Sequence, residues 1–99
     1  MARFKVYRMA QSEGLAIDLQ STLFDGLQTR VMAPLVPITD VAKLIPRLNP
    51  RFEINDTVYV MLTEFMGTVP SAEIGMLVAD LSARADDITA ATDFLFQGF

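Results

Sequence analysis

The chain has 99 residues, 52% of them hydrophobic, and its 8 Lys+Arg against 12 Asp+Glu give a net charge of -4. That charge has the wrong sign for neutralising phosphates, and the absence of His and Cys removes Ser-His-Asp and Cys-His nucleophile pairs as well as His or thiolate zinc sites. No direct nucleic-acid binding, metal site or cofactor is therefore expected. The apolar share exceeds the ~45–50% usual for soluble domains, and a chain this short buries only about 60–65% of its unfolded surface. The surplus implies an interface, and a homodimer is expected.

The elements are predicted in chain order as follows. Phe4 to Arg8 reads as a strand with Phe4, Val6 and Arg8 on one side and Lys5 and Tyr7 on the other. Ser12-Glu13-Gly14 marks a turn, after which Leu15, Ile17 and Leu19 alternate with Ala16 and Asp18 in a second strand. Arg30 to Leu35 is a third, expected at an edge or bulged because Pro34 and Pro37 cannot donate to a central ladder. Thr39 to Ile45 carries Val41, Leu44 and Ile45 at helical spacing, which predicts up to two turns of helix capped by Thr39 and stopped by Pro46. Phe52 and Ile54, then Asn55-Asp56, then Thr57 to Thr63 predict a hairpin.

The period then changes. Ala83 to Gln97 is predicted as an amphipathic helix, with Ser82 as its N-cap, Asp86 and Asp87 at the positive end of its dipole, and Gly98 at its end. Ile88, Ala91, Thr92, Leu95 and Phe96 form its apolar stripe, and Asp80 and Arg84 are spaced for an i,i+4 pair. Neither a linker nor an internal repeat interrupts the sequence, so a single domain over residues 1–99 is expected. Pro34 and Pro37 break its richest apolar stretch, and no signal-peptide run follows the start, which predicts a cytoplasmic protein without a membrane span.

Residues that could carry chemistry have simpler roles. Asp86 and Asp87 are neighbours that would point about 100° apart on a helix, so they cannot share a substrate as an acid-base pair. Of the six Met residues, Met1 is the initiator and the other five are scattered as core filler. The end of the chain is different, because Phe94, Phe96 and Phe99 cannot all lie on one narrow helix face. At least one of them must meet solvent or another molecule.

Met66-Gly67-Thr68-Val69-Pro70, Ile74-Gly75, Val78-Ala79-Asp80-Leu81-Ser82, Arg84, Asp87-Ile88, Ala91 and Phe96-Gln97-Gly98-Phe99 follow one another in a distinctive order. Together with Phe4-Lys5-Val6-Tyr7, Asp18-Leu19-Gln20-Ser21 and Met32-Ala33-Pro34-Leu35, they resemble the CcdB toxin family over essentially the whole chain. The segment from Met9 to Gly14 is shorter than in the best-known members, and Val36 to Asn55 matches loosely. The resemblance implies a mainly β fold with an antiparallel sheet related to SH3-like barrels, a small wing sheet and a C-terminal α-helix, assembled as a symmetric homodimer. It further implies a non-enzymatic toxin of a type II toxin-antitoxin module that binds the DNA gyrase A subunit and traps the cleaved DNA complex. A cognate antitoxin would neutralise it and repress the operon jointly with it.

Carried over by matching positions, the gyrase-binding surface would comprise Leu23, Phe24, Asp93, Phe96, Gln97, Gly98 and Phe99. The best-known members have Trp at the position of Gln97 and Ile at that of Phe99. An indole can hold a cation over its face where Gln97 offers hydrogen bonds alone, so a different target, or antitoxin binding without a target, is the alternative. An endoribonuclease would instead need acid-base groups beside a basic groove.

Overall fold

The computed structural model describes residues 2–99. Seven strands form one antiparallel, curled half-barrel sheet: β1 (Lys5–Met9), β2 (Leu15–Asp18), β3 (Thr29–Pro37), β4 (Arg51–Ile54), β5 (Thr57–Met61), β6 (Gly67–Pro70) and β7 (Ile74–Asp80). The order across the sheet is β4-β5-β3-β2-β1-β7, with β6 added to β3. One helix, α1 (Ala85–Gln97), follows the last strand. No described helix is long and apolar enough to cross a membrane.

Both faces of the sheet centre are covered. Val6, Ile17, Ala33, Leu35, Phe52, Ile54 and Met61 meet Ile88 and Ala91 of α1 in the main core. On the other face Tyr7, Ala16 and Met32 are buried with Met9, Val69 and Ile74 packed against them. A strand buried on both faces loses the simple inside-outside alternation, which is why Val6 and Tyr7 are both core residues. The methionines divide accordingly: Met32 and Met61 fill core, whereas Met76 is exposed.

The third strand is central, not at an edge. It forks, pairing β6 over Thr29 to Met32 and β5 over Leu35 to Pro37, with β2 along its other side. Pro34 is tolerated because of that fork. Its carbonyl accepts the Leu62 N–H at 2.9 Å, so its nitrogen faces the same side, just past the end of β5, where the Leu62 carbonyl that would have received a donor is taken by the Phe65 N–H at 3.0 Å.

The two-residue turn Asn55-Asp56 joins β4 and β5 as expected, with both residues in the left-handed region that such a tight hairpin requires. No helix forms between Thr39 and Ile45. Only a 3-10 turn, Ile38–Asp40, is present. The Ile45 N–H, which a helix would direct to Val41, donates instead to the Asn49 side-chain oxygen at 3.1 Å. Asn49 in turn donates to the Met61 carbonyl at 3.1 Å and to Glu64 at 2.8 Å, and the Thr63 hydroxyl donates to the Leu48 carbonyl. These buried and half-buried bonds fasten the 41–50 segment against the end of β5.

The C-terminal helix starts later than Ala83 and is not capped by Ser82. A 3-10 turn over Ser82–Arg84 comes first, and Arg84, at the N-cap position, makes no side-chain cap. Asp80 instead closes an Asx turn ahead of the 3-10 turn, its carboxylate receiving the Ser82 N–H at 2.9 Å. Arg84 pairs with Asp87 at 2.8 Å instead of with Asp80. Gly98 ends the helix in the left-handed conformation with its N–H on the Phe94 carbonyl at 2.9 Å, as its position suggested.

Candidate interaction surface

The connection from β2 to β3 is built with its polar groups inward and its apolar tips outward. Arg30, 1% exposed, lies within ion-pair distance of the fully buried Asp18 at 2.6 Å and of Asp25 at 2.8 Å. Burial opposes its charge, but hydrogen bonds to Asp18 and Asp25 outweigh that and hold the guanidinium above its usual pKa. Gln20 completes the frame: its amide nitrogen donates to the Phe24 carbonyl at 3.0 Å and the Thr29 carbonyl at 3.1 Å, and its oxygen accepts the Val31 N–H at 3.0 Å. The Ser21 hydroxyl accepts the Leu23 N–H at 3.2 Å and starts a 3-10 turn, Thr22–Phe24. With these polar demands met from below, Leu23 (81% exposed), Phe24 and Leu27 project into solvent.

The end of α1 behaves similarly. Ile88 and Ala91 are buried, but the apolar stripe does not continue inward: Leu95 is 36% exposed, Phe96 73% and Phe99 74%. Phe94 is half-buried with the Arg47 guanidinium 4.5 Å from its ring centroid. Asp93, Gln97 and Gly98 are exposed.

One recess of about 290 Å³ joins the two regions, lined among others by Phe4, Gln20, Thr92 and Phe96. Of the seven positions singled out in the sequence, Phe96 alone lines it. Gln20 connects it to the loop through its bond to Phe24. Phe4 was missed as a surface element because alternation assigned it to the first strand. In fact the strand begins at Lys5, and Phe4 has φ 70°, its N–H on the Asp18 carbonyl at 2.7 Å and its carbonyl on the Leu81 N–H at 2.9 Å. A bulky residue held in that region of backbone space is displaced from the ladder, and nothing in local sequence announces it. A second recess, about 490 Å³, lies beside the start of α1 and is lined by Pro46, Arg47, Pro50, Arg51, Arg84, Asp87 and Ala90.

Residues 3–98 match the family described as CcdB protein. The chain belongs to the CcdB family. Among solved structures it is similar to an endoribonuclease in complex with its cognate antitoxin from Mycobacterial species, with a TM-score of 0.78, 18% identity, and coverage of 97% of this chain and 94% of that one. It is also similar to an endoribonuclease from Mycobacterial species, with a TM-score of 0.75, 17% identity, and coverage of 97% and 90%. At such identities the likeness concerns the fold, which this CcdB-family chain shares with them.

Proposed function

We propose that this CcdB-family chain is the toxin of a toxin-antitoxin module and acts by binding, without catalysis, to the DNA gyrase A subunit, trapping the cleaved DNA complex. The observation that carries the reading is the exposure of Phe96 and Phe99 at the end of α1, where Phe96 lines a recess together with Gln20, the residue that holds the Phe24 carbonyl. Aromatic side chains left outside the fold, on a framework whose polar groups are already paired, are suited to anchor a protein partner. Leu23, Phe24, Asp93, Phe96, Gln97, Gly98 and Phe99 form the proposed contact set, to which the recess adds Phe4 and Gln20. The working unit is a cytoplasmic homodimer. A cognate antitoxin covers the toxin and, with it, controls the operon.

Purified protein added to gyrase and plasmid DNA should accumulate cleaved DNA that is released as linear product after protein denaturation. Incubation with messenger RNA should leave the RNA intact. Accumulation of RNA fragments with gyrase unaffected would transfer the reading to an endoribonuclease. Inactivity in both assays, with retained antitoxin binding, would leave a chain whose target differs or is lost, the alternative raised by Gln97 at the position of the family Trp.

A further inference from the structure

The recess beside the start of α1 concentrates cationic groups on a chain of net charge -4. Residues 41–52 contain Lys43, Arg47 and Arg51 and no Asp or Glu. Arg84 joins Arg47 and Arg51 in lining the recess, whose remaining wall is Pro46, Pro50, Ala90 and Asp87, the one carboxylate there, which is paired with Arg84.

The three guanidiniums are differently committed. Arg84 is fixed: its Nε donates to Asp87 at 2.8 Å, its Nη1 to the Arg51 carbonyl at 3.1 Å, and its carbon lies 4.7 Å from the Phe52 ring centroid. Arg47 is held by stacking, 4.5 Å from the Phe94 ring centroid. Among the described residues neither Arg47 nor Arg51 has a carboxylate within ion-pair distance. A guanidinium stacked on a ring keeps the edges of its plane available, and that planar fork matches a carboxylate bidentately. Because the ring already restrains Arg47, less conformational freedom is lost when a ligand engages it.

We infer that this recess is a docking site for an acidic peptide segment of a partner protein, with Arg47 and Arg51 receiving its carboxylates and the proline and alanine walls receiving its apolar side chains. The inference rests on the reading of the chain as one half of a two-protein module, and names where the other half attaches. A polyphosphate is the poorer fit. It would bring charge continuously along its length to a chain that is acidic overall, where two open arginines in one apolar-walled recess provide no cationic track.

The test uses a short fluorescein-labelled peptide in which Glu and Asp alternate with Leu and Ala, a matched peptide with Lys at the acidic positions, and a labelled oligouridylate of equal length. Anisotropy at low salt should show the intact protein binding the acidic peptide, binding the Lys peptide far more weakly, and losing the acidic peptide as salt rises. Arg47→Gln/Arg51→Gln should weaken the acidic peptide about tenfold or more, equivalent to about 1.4 kcal/mol. Because Arg47 also packs on Phe94, Arg51→Gln alone is the second variant and should show a smaller loss with an unchanged thermal midpoint. Equal peptide affinity in native and double-variant protein, no binding by the native protein, or tighter binding of oligouridylate with the same arginine dependence would each overturn the assignment. Gyrase A binding measured in parallel separates the two readings: its failure with peptide docking retained removes the target, and the converse removes the docking site.

Discussion

Arg30 and Asp18, twelve residues apart, meet in the interior through two hydrogen bonds to one carboxylate oxygen, from Nη2 at 2.6 Å and from Nε at 3.1 Å. The other Asp18 oxygen accepts the Gln20 N–H at 3.0 Å, and Arg30 Nη1 reaches Asp25 at 2.8 Å. The pair thus fixes both ends of the loop that carries Leu23 and Phe24. Asp18→Asn should cost about 3–5 kcal/mol in chemical denaturation, because it leaves a buried guanidinium without its counter-charge. Asp25→Asn, at the half-exposed end of the network, should cost less than about 1 kcal/mol. Equal losses for the two substitutions would show that the buried pair does not organise the loop.

Gly75 stands where β7 passes β1 at an irregular register, and a Cβ built on it would lie 2.6 Å from the Arg8 carbonyl oxygen. Backbone cannot yield there as a flexible side chain could. Gly75→Ala should destabilise by about 1–3 kcal/mol. Gly67→Ala, with open space around its Cβ, should stay within about 0.5 kcal/mol of the native protein. Urea midpoints for the two variants give the comparison directly.

The turn that leads into α1 should show a carboxylate-dependent stability. Hydrogen bonds from the Ser82 side chain and backbone hold the Asp80 carboxyl below its ordinary pKa of 3.8. A depressed folded-state pKa means that the contribution is present above the unfolded value and is lost as pH falls through the folded one. Asp80→Ala should therefore lower the thermal midpoint near neutral pH, and its difference from native should shrink as the pH is taken below 3.8. Ser82→Ala retains the backbone bond and should have a smaller effect. A gap between Asp80→Ala and native that is independent of pH would remove the ionised carboxylate as its cause.

Removal of Gln97, Gly98 and Phe99 should leave the thermal midpoint within a few degrees, since the three residues are exposed and follow the buried part of α1. Binding to the gyrase A subunit should fall about tenfold or more, which corresponds to about 1.4 kcal/mol. Gln97→Trp should strengthen binding if the partner presents a cation to that position. Undiminished gyrase affinity after the deletion would falsify the proposed contact set at this end of the chain.

Sedimentation at micromolar concentration should give about twice 11.0 kDa. The surface offers the material for such an association: β7 ends the sheet, and it exposes Met76 (76%) and Leu77, while Phe65 is exposed before β6. A monomer at that concentration would remove the homodimer from the functional reading.

Local chemistry was enough to determine the hairpin around Asn55-Asp56, the strand at Leu15–Asp18, the helix ending at Gly98 and the exposure of at least one terminal phenylalanine. Each depends on residues close in sequence, through period, turn chemistry or the impossibility of placing three rings on one face. Spaced residue matches along the whole chain were likewise enough for the family. Only the tertiary structure decided what depended on distant partners. The apolar run Ile74–Asp80 is a strand because β1 lies beside it, and it lacks alternation since much of it is exposed. Pro34 is central because β3 forks at its nitrogen, and 41–45 is not helical because Asn49 takes the Ile45 N–H. The Arg30–Asp18 pair, the displaced Phe4 and the arginine recess unite residues widely separated along the chain. Their energetics come from burial and geometry, which residue spacing does not encode.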